Sequence, residues 1–312
     1  MHPFTLFKNR QPNEMGRIPV VMYHSVDDSR PIDKNGLNIS KATFRKHLGL
    51  FLQYGMYPVN LRDLRSHDAL SYVPRGLVPV VLTFDDGRRS QFVMREDGTP
   101  HPDSAIGILE NFIQERADGW KRRASFYVMP QSSYNLEPFQ QRGLSTAKLS
   151  YLVEHGYEVG NHTWSHRSLR RMTERQVVTE LVRCFYGIRS LCPRATMDTL
   201  CIPFGEYPRF ATWRKVLANP LRQKSDMHSL VLMAWGGASY SPFDKRYDPL
   251  RVTRIGVAPN ELEGTLKNLA RTQSWYVSGE SSGVLHADQQ LRKYVSPHYL
   301  NYLTVANHQL SR

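Results

Sequence analysis

Two short stretches of this 312-residue chain hold residue types suited to joint chemistry: Thr83-Phe84-Asp85-Asp86-Gly87 and Gly160-Asn161-His162-Thr163-Trp164-Ser165-His166. Together they offer two adjacent carboxylates and two imidazoles four positions apart. Neutral imidazole and carboxylate suit a borderline divalent ion. Three protein ligands leave a coordination position open, which distinguishes a catalytic metal site from a structural one. If one carboxylate binds the ion, the other is free to take a proton from bound water. Each stretch alone is an ordinary pattern, a turn after a strand or a pair of surface histidines. Their joint occurrence, each after a short apolar run, points to a metal-assisted hydrolase.

The elements that must position these residues are legible around them. Val78 to Phe84 is apolar and β-branched and is stopped by Asp-Asp-Gly, so it reads as a buried strand ending in a turn. At a strand's end the chain is turning, and both carboxylates can reach one cavity. Gly87 supplies the backbone freedom that the exit needs. For the histidines, one helical turn would put positions i and i+4 on one face, with Asn161 as its cap. Tyr157 to Gly160 reads as a strand delivering them.

Elsewhere short apolar runs alternate with helical periods, which implies an α/β architecture. Strands are expected at Ile18–Tyr23, Met56–Val59, Ala124–Val128, Leu200–Ile202, Leu230–Met233 and Val252–Ile255. Helices are expected after a Ser40 cap, over Ala105–Gln114 and Thr146–Glu154, after a Thr173/Gln176 capping box, and from an Asn260 cap to Leu269. The chemistry-bearing residues all follow candidate strands, as on the catalytic face of a parallel barrel. Periodicity alone leaves a doubly wound sheet open. The polar loop Arg88–Asp103 follows the first motif, with Arg95-Glu96-Asp97-Gly98 read as cleft wall or as plain surface.

No stretch approaches the roughly 18 apolar residues of a membrane span, and no signal peptide is visible at the start. The net charge of +13 favours anionic partners. No nucleic-acid module signature is present, and the Lys/Arg pairs read as solvated surface. Cys184, Cys192 and Cys201 form no close metal pair, although one bridge involving Cys192 is allowed.

The motifs resemble those of the polysaccharide deacetylases, the family 4 carbohydrate esterases. Thr83 to Gly87 is similar to the family's first motif and His162 to His166 to its second, both complete. Cys201-Ile202-Pro203-Phe204-Gly205 meets the third, Arg-x-Pro-Phe/Tyr-Gly, in part. The resemblance implies an α/β fold, a distorted (β/α) barrel with seven or eight strands. It implies Asp85 as general base, Asp86, His162 and His166 as ligands of a divalent metal, and the Phe204 N–H as oxyanion donor. The metal would be zinc, with cobalt or nickel as alternatives. A Leu-x-His match at Val284-Leu285-His286 offers His286 as general acid, beside His24 and the newly protonated Asp85.

The departures are Cys201 in place of the family arginine that pairs with the base, and an unrecognised fourth motif, whose region Ala234-Trp235-Gly236-Gly237-Ala238 would occupy. Cys201 itself reads as a small buried strand residue. Trp164, Trp213, Trp235 and Trp275 are candidates for stacking on sugar rings.

The expected reaction is removal of N-acetyl groups from amino-sugar polymers or oligomers, with release of acetate. The alternatives are a non-catalytic carbohydrate-binding barrel, a deacylase of non-sugar amides, and a non-haem iron oxygenase. The expected partner is an N-acetylated glycan, in which the basic charge favours an anionic cell-envelope polymer. An extracellular or envelope location is implied by the resemblance alone. The catalytic barrel is expected over residues 18–280, between an extension at 1–17 and a tail at 281–312.

Overall fold

The computed structural model describes residues 5–65, 70–117, 119–130, 137–225, 227–280 and 284–306. Eight parallel strands form its centre: β1 (Val20–Tyr23), β2 (Met56–Val59), β3 (Val78–Phe84), β4 (Ser125–Val128), β5 (Glu158–Asn161), β6 (Thr199–Cys201), β7 (Leu230–Gly236) and β8 (Val252–Arg254). Seven of them pair in the order β1-β3-β4-β5-β6-β7-β8. The ring closes because Val21 bridges Ile255, with Met22 N–H on the Ile255 carbonyl at 2.9 Å and Ile255 N–H on the Val20 carbonyl at 2.8 Å.

β3 explains why the strand number is seven or eight. Its first half pairs with β2, from Met56 opposite Val78 to Val59 opposite Val81. Its second half pairs with β4 at Thr83 and Phe84. Both lie on one edge, since β1 takes the other, so β2 is splayed out of the ring. The structure is a distorted (β/α) barrel.

The helices that lie wholly within the described residues are α1 (Lys41–Gln53), α2 (Ala105–Arg116), α3 (Ser145–Glu154), α4 (Glu174–Leu191), α5 (Trp213–Ala218) and α6 (Glu261–Thr272). Ser40 accepts the Thr43 N–H at the start of α1, and Thr173 and Gln176 form a capping box at the start of α4. Asn260 departs from expectation. It is left-handed (φ 66°) and makes no side-chain cap bond.

Alternation along β3 aims the site. Phe84 stacks between Tyr23 (5.3 Å) and Phe126 (4.9 Å) on the face that packs against Phe44 of α1. Thr83 and Asp85 therefore turn the other way, toward Arg254.

Flanking segments close the amino ends of the strands. Asn13 bridges Val277 and Arg17 bridges Trp275. The strand Leu285–Asp288 pairs with Leu303–Ala306. Cys184, Cys192 and Cys201 are all free and buried, so the Cys192 bridge does not form. No helix among the described residues is long and apolar enough to cross a membrane.

Candidate active site

Asp85 and Asp86 leave β3 in a strained turn, and consecutive left-handed residues send their side chains to different partners. Asp86 has φ 76° and Gly87 φ 59°, and only the glycine adopts such a value without cost. Both aspartates are buried.

Asp85 is held by a guanidinium that the sequence reading did not assign. Arg254, at the end of β8, donates from Nη1 to Asp85 Oδ1 at 2.8 Å and from Nη2 to Oδ2 at 2.9 Å. The same side chain reaches Thr83 Oγ1, the Met233 carbonyl and Cys201 Sγ. A fork–fork pair of this kind fixes the carboxylate in space as well as in charge. Burial works against ionisation of Asp85. The Arg254 charge, aided by His162 and His24, overrides it and holds the carboxyl down at about 2. The guanidinium missing at position 201 is thus supplied two strands along the ring. Cys201 is a small buried strand residue, as expected, and its thiol also touches Asp85 Oδ2 at 3.3 Å. The signal for Arg254 lay in Val252-Thr253-Arg254-Ile255, where a lone arginine interrupts a β-branched run.

The second motif converges on Asp86, but without a helical turn. Residues 162–168 form a loop in which Thr163 (φ 65°) and His166 (φ 54°) are left-handed. Asn161 Oδ1 accepts the Thr163 N–H and Thr163 Oγ1 accepts the His166 N–H, so local side-chain bonds replace the helical ladder. Glu180 of α4 clamps the loop further, accepting both the N–H and the hydroxyl of Ser165.

Asp86 Oδ1 lies 3.2 Å from Nε2 of His162 and 3.2 Å from Nε2 of His166. One ligand atom from each of the three falls within 4.8 Å of the others. His162 Nδ1 donates to the Cys201 carbonyl at 2.8 Å, which turns Nε2 toward Asp86 Oδ1. Lone pairs facing a carboxylate oxygen at this distance need a proton or a cation between them. This donor set fits a borderline divalent ion. A second group, Asp85, His162 and Cys201, is also close enough. It fits less well, because Arg254 already occupies Asp85 and burial pushes the Cys201 thiol up.

A cleft of about 820 Å³ opens beside this cluster, with Asp86, His166, Phe204, Arg88, Arg89 and Ser90 in its wall. Phe204 is left-handed (φ 59°) and packs its ring on His166 at 4.9 Å. The turn bonds here run from Gly205 N–H to the Ile202 carbonyl and from Glu206 N–H to the Pro203 carbonyl, and neither uses the Phe204 amide. The loop after β3 also contributes His101 and Asp103 to the cleft, whereas Arg95-Glu96-Asp97-Gly98 is exposed surface.

His286 is not brought to this cluster, which corrects the expectation that it supplies the acid. Its backbone bonds to Glu14, and its ring lies against Gly279, near the amino end of β3. Besides His162, the histidine near Asp85 is His24, whose Nε2 stands 3.9 Å from Oδ2. Its buried Nδ1 has no hydrogen-bond partner among the described residues, and burial pushes its pKa down despite the two aspartates.

Of the tryptophans, Trp275 is buried, Trp164 carries Arg183 over its ring, and Trp213 lies under Arg214 and Arg251. Trp235 is 57% exposed and adjoins Gly205 at the cleft side of the barrel. A second groove, of about 1100 Å³, lies between α4 and α5 and holds none of the candidate residues.

Residues 118–219 match the family model for polysaccharide deacetylase, a span that includes His162, His166 and Phe204. The chitooligosaccharide deacetylase of Bradyrhizobium sp. (strain ANU 289) is 29% identical over 119 residues, 38% of this chain and 48% of its own length. That of Sinorhizobium fredii (strain NBRC 101917 / NGR234) is 27% identical over 145 residues, 46% of this chain and 55% of its own. The chain thus spans about half the length of the curated relatives it matches.

Among solved structures, the Streptococcus pyogenes deacetylase PplD in complex with acetate superposes with a TM-score of 0.57 at 20% identity, over 80% of this chain and 97% of its own. IcaB from Ammonifex degensii does so with a TM-score of 0.57 at 20% identity, over 80% and 96%. At this identity the likeness is one of fold. Over the matched residues the chain is similar to the polysaccharide deacetylases, by the family model and the curated relatives, and the solved structures add the shared barrel.

Proposed function

We propose that this chain is a metal-dependent deacetylase that removes N-acetyl groups from amino-sugar glycans. The observation that carries the reading is the convergence of Asp86, His162 and His166 within 4.8 Å, with Asp85 beside them in a separate ion pair. Asp86 takes Arg88 on Oδ2 and turns Oδ1 to both imidazoles, so Oδ1 would serve for binding and Asp85 for proton transfer, as the resemblance implies.

Asp86, His162 and His166 would hold the divalent metal, with zinc as first choice. When bound it supplies Lewis acidity toward water and the amide carbonyl. Asp85, kept ionised by Arg254, takes the proton released as water attacks. His24, 3.9 Å from Asp85, is the group placed to relay it to the departing amine. The Phe204 N–H donates to the oxyanion, an interaction worth about 3 kcal/mol in comparable sites. Trp235 offers an apolar ring face to a sugar. The products are acetate and a free amino sugar. An extracellular or envelope location belongs to the same reading.

The test is metal analysis coupled to acetate release across a panel of acetylated glycans and simple amides. Zinc-dependent acetate release from glycans, without oxygen consumption, supports the reading. Tight glycan binding without acetate release for every metal tried would leave a binding barrel instead.

A further inference from the structure

Of the cations in the cleft wall, one stands apart from every carboxylate among the described residues; Lys41, by contrast, has both Asp103 and, at 3.9 Å, Asp28 outside the lining. Three carboxylates line the cleft, Asp27, Asp86 and Asp103. Each has its own cation: Arg30 stands 3.6 Å from Asp27, Lys41 is 3.0 Å from Asp103, and Arg88 is 2.7 Å from Asp86. All three of those cations also line the cleft. The fourth lining cation, Arg89, has no carboxylate within 4.0 Å among the described residues. Its one side-chain hydrogen bond among the described residues runs from Nη1 to the Gln140 carbonyl at 3.1 Å, and the side chain is exposed.

Gln140 lines the same cleft, so this bond steers the guanidinium along the wall and leaves donors of the fork unused. A bound divalent ion would add further positive charge. A neutral glycan would leave this field unanswered, whereas a carboxylate matches the planar fork of a guanidinium.

We propose that Arg89 is a specificity residue that reads a carboxylate on the sugar ring next to the acetamido sugar. The substrate is then an acetylated glycan that is also anionic, and the proposal rests on the deacetylase reading of the same cleft.

The test compares two β-linked N-acetylglucosamine oligomers, one plain and one bearing a carboxylate on alternate rings. Each is assayed with the zinc-loaded wild type, with Arg89→Gln and Arg89→Lys, and with Arg271→Gln, in the last turn of α6 and outside the cleft lining, as a control. The wild type should prefer the anionic oligomer by about fivefold in kcat/KM, the size of one partly exposed ion pair. The difference should sit in KM and shrink as salt rises. R89Q should bring the ratio close to one, R89K should keep part of it, and R271Q should keep all of it. An equal wild-type preference, or a ratio that survives R89Q, overturns the proposal.

The same comparison made by titration calorimetry separates the two layers. If neither oligomer releases acetate, the deacetylase reading fails, while tighter binding of the anionic oligomer that is lost in R89Q still upholds the role of Arg89.

Discussion

Two buried carboxylates, at opposite ends of the barrel, meet opposite fates. Asp85 follows the carboxyl end of β3, and Glu158 opens the amino end of β5. Glu158 is surrounded by neutral donors: the Ser125 hydroxyl at 3.0 Å, the Arg62 N–H at 2.9 Å and the Thr199 hydroxyl. The Arg62 guanidinium stands off at 3.7 Å, and burial prevails, so the Glu158 pKa rises. Asp85 is equally buried, but a bidentate guanidinium drives its pKa down. At the Asp85 end strained residues gather, with Asp86, His166 and Phe204 in the cleft wall and Thr163 buried behind it, all left-handed. Burial alone therefore does not mark a reactive carboxylate. A formal counter-charge and an adjacent opening do.

The sharpest break of this comparison is Asp85→Asn against Glu158→Gln. D85N should lower acetate release by about 1000-fold while retaining metal, as expected for loss of a general base. E158Q should leave turnover within a few fold and instead lower unfolding stability by roughly 2 kcal/mol, the cost of a disturbed buried network. Denaturant melts and acetate assays on the two variants decide it.

Next comes the counter-charge. Arg254→Met should reduce activity by about 100-fold and stability by roughly 3 kcal/mol, because it strands a buried carboxylate. Adding Cys201→Arg to R254M should restore part of the activity, since the charge would return from the neighbouring side of Asp85. Absence of any rescue would mean that only the β8 position aims the carboxylate correctly.

Acid stability sharpens the same point. The pKa of Asp85 falls from 3.8 to about 2 on folding, so its contribution is present above 3.8 and is lost as pH falls through that range. Between pH 5 and pH 2 the wild type should lose roughly 2 kcal/mol more than D85N. The smallest effect is expected for Trp235→Ala, a few-fold rise in KM for oligomers from loss of about 1 kcal/mol of ring contact.

Much of this site was legible in the sequence for physical reasons. Val78 to Phe84 is bounded by its own composition, and an Asp-Asp-Gly after it has few ways to fold. The capping box at Thr173 is a local bond pattern and is found as expected. What stayed hidden depends on closure of the ring. Arg254 is 169 positions from Asp85, and only the β8–β1 junction brings them together. His286 satisfied a three-residue pattern, but its strand pairs with Leu303–Ala306 and its backbone bonds to Glu14, and it is not among the cleft-lining residues. The expected helical turn at His162 gave way to side-chain bonds from Asn161 and Thr163, which local propensity does not reveal.

The most direct measurement is zinc stoichiometry and affinity in the wild type, D85N, D86N, H162A and H166A, each with circular dichroism to show that it is folded. We predict one tightly held zinc in the wild type and in D85N. Affinity should fall by at least about 100-fold in the other three. Folded H162A and H166A proteins that bind zinc as tightly as the wild type would contradict the account.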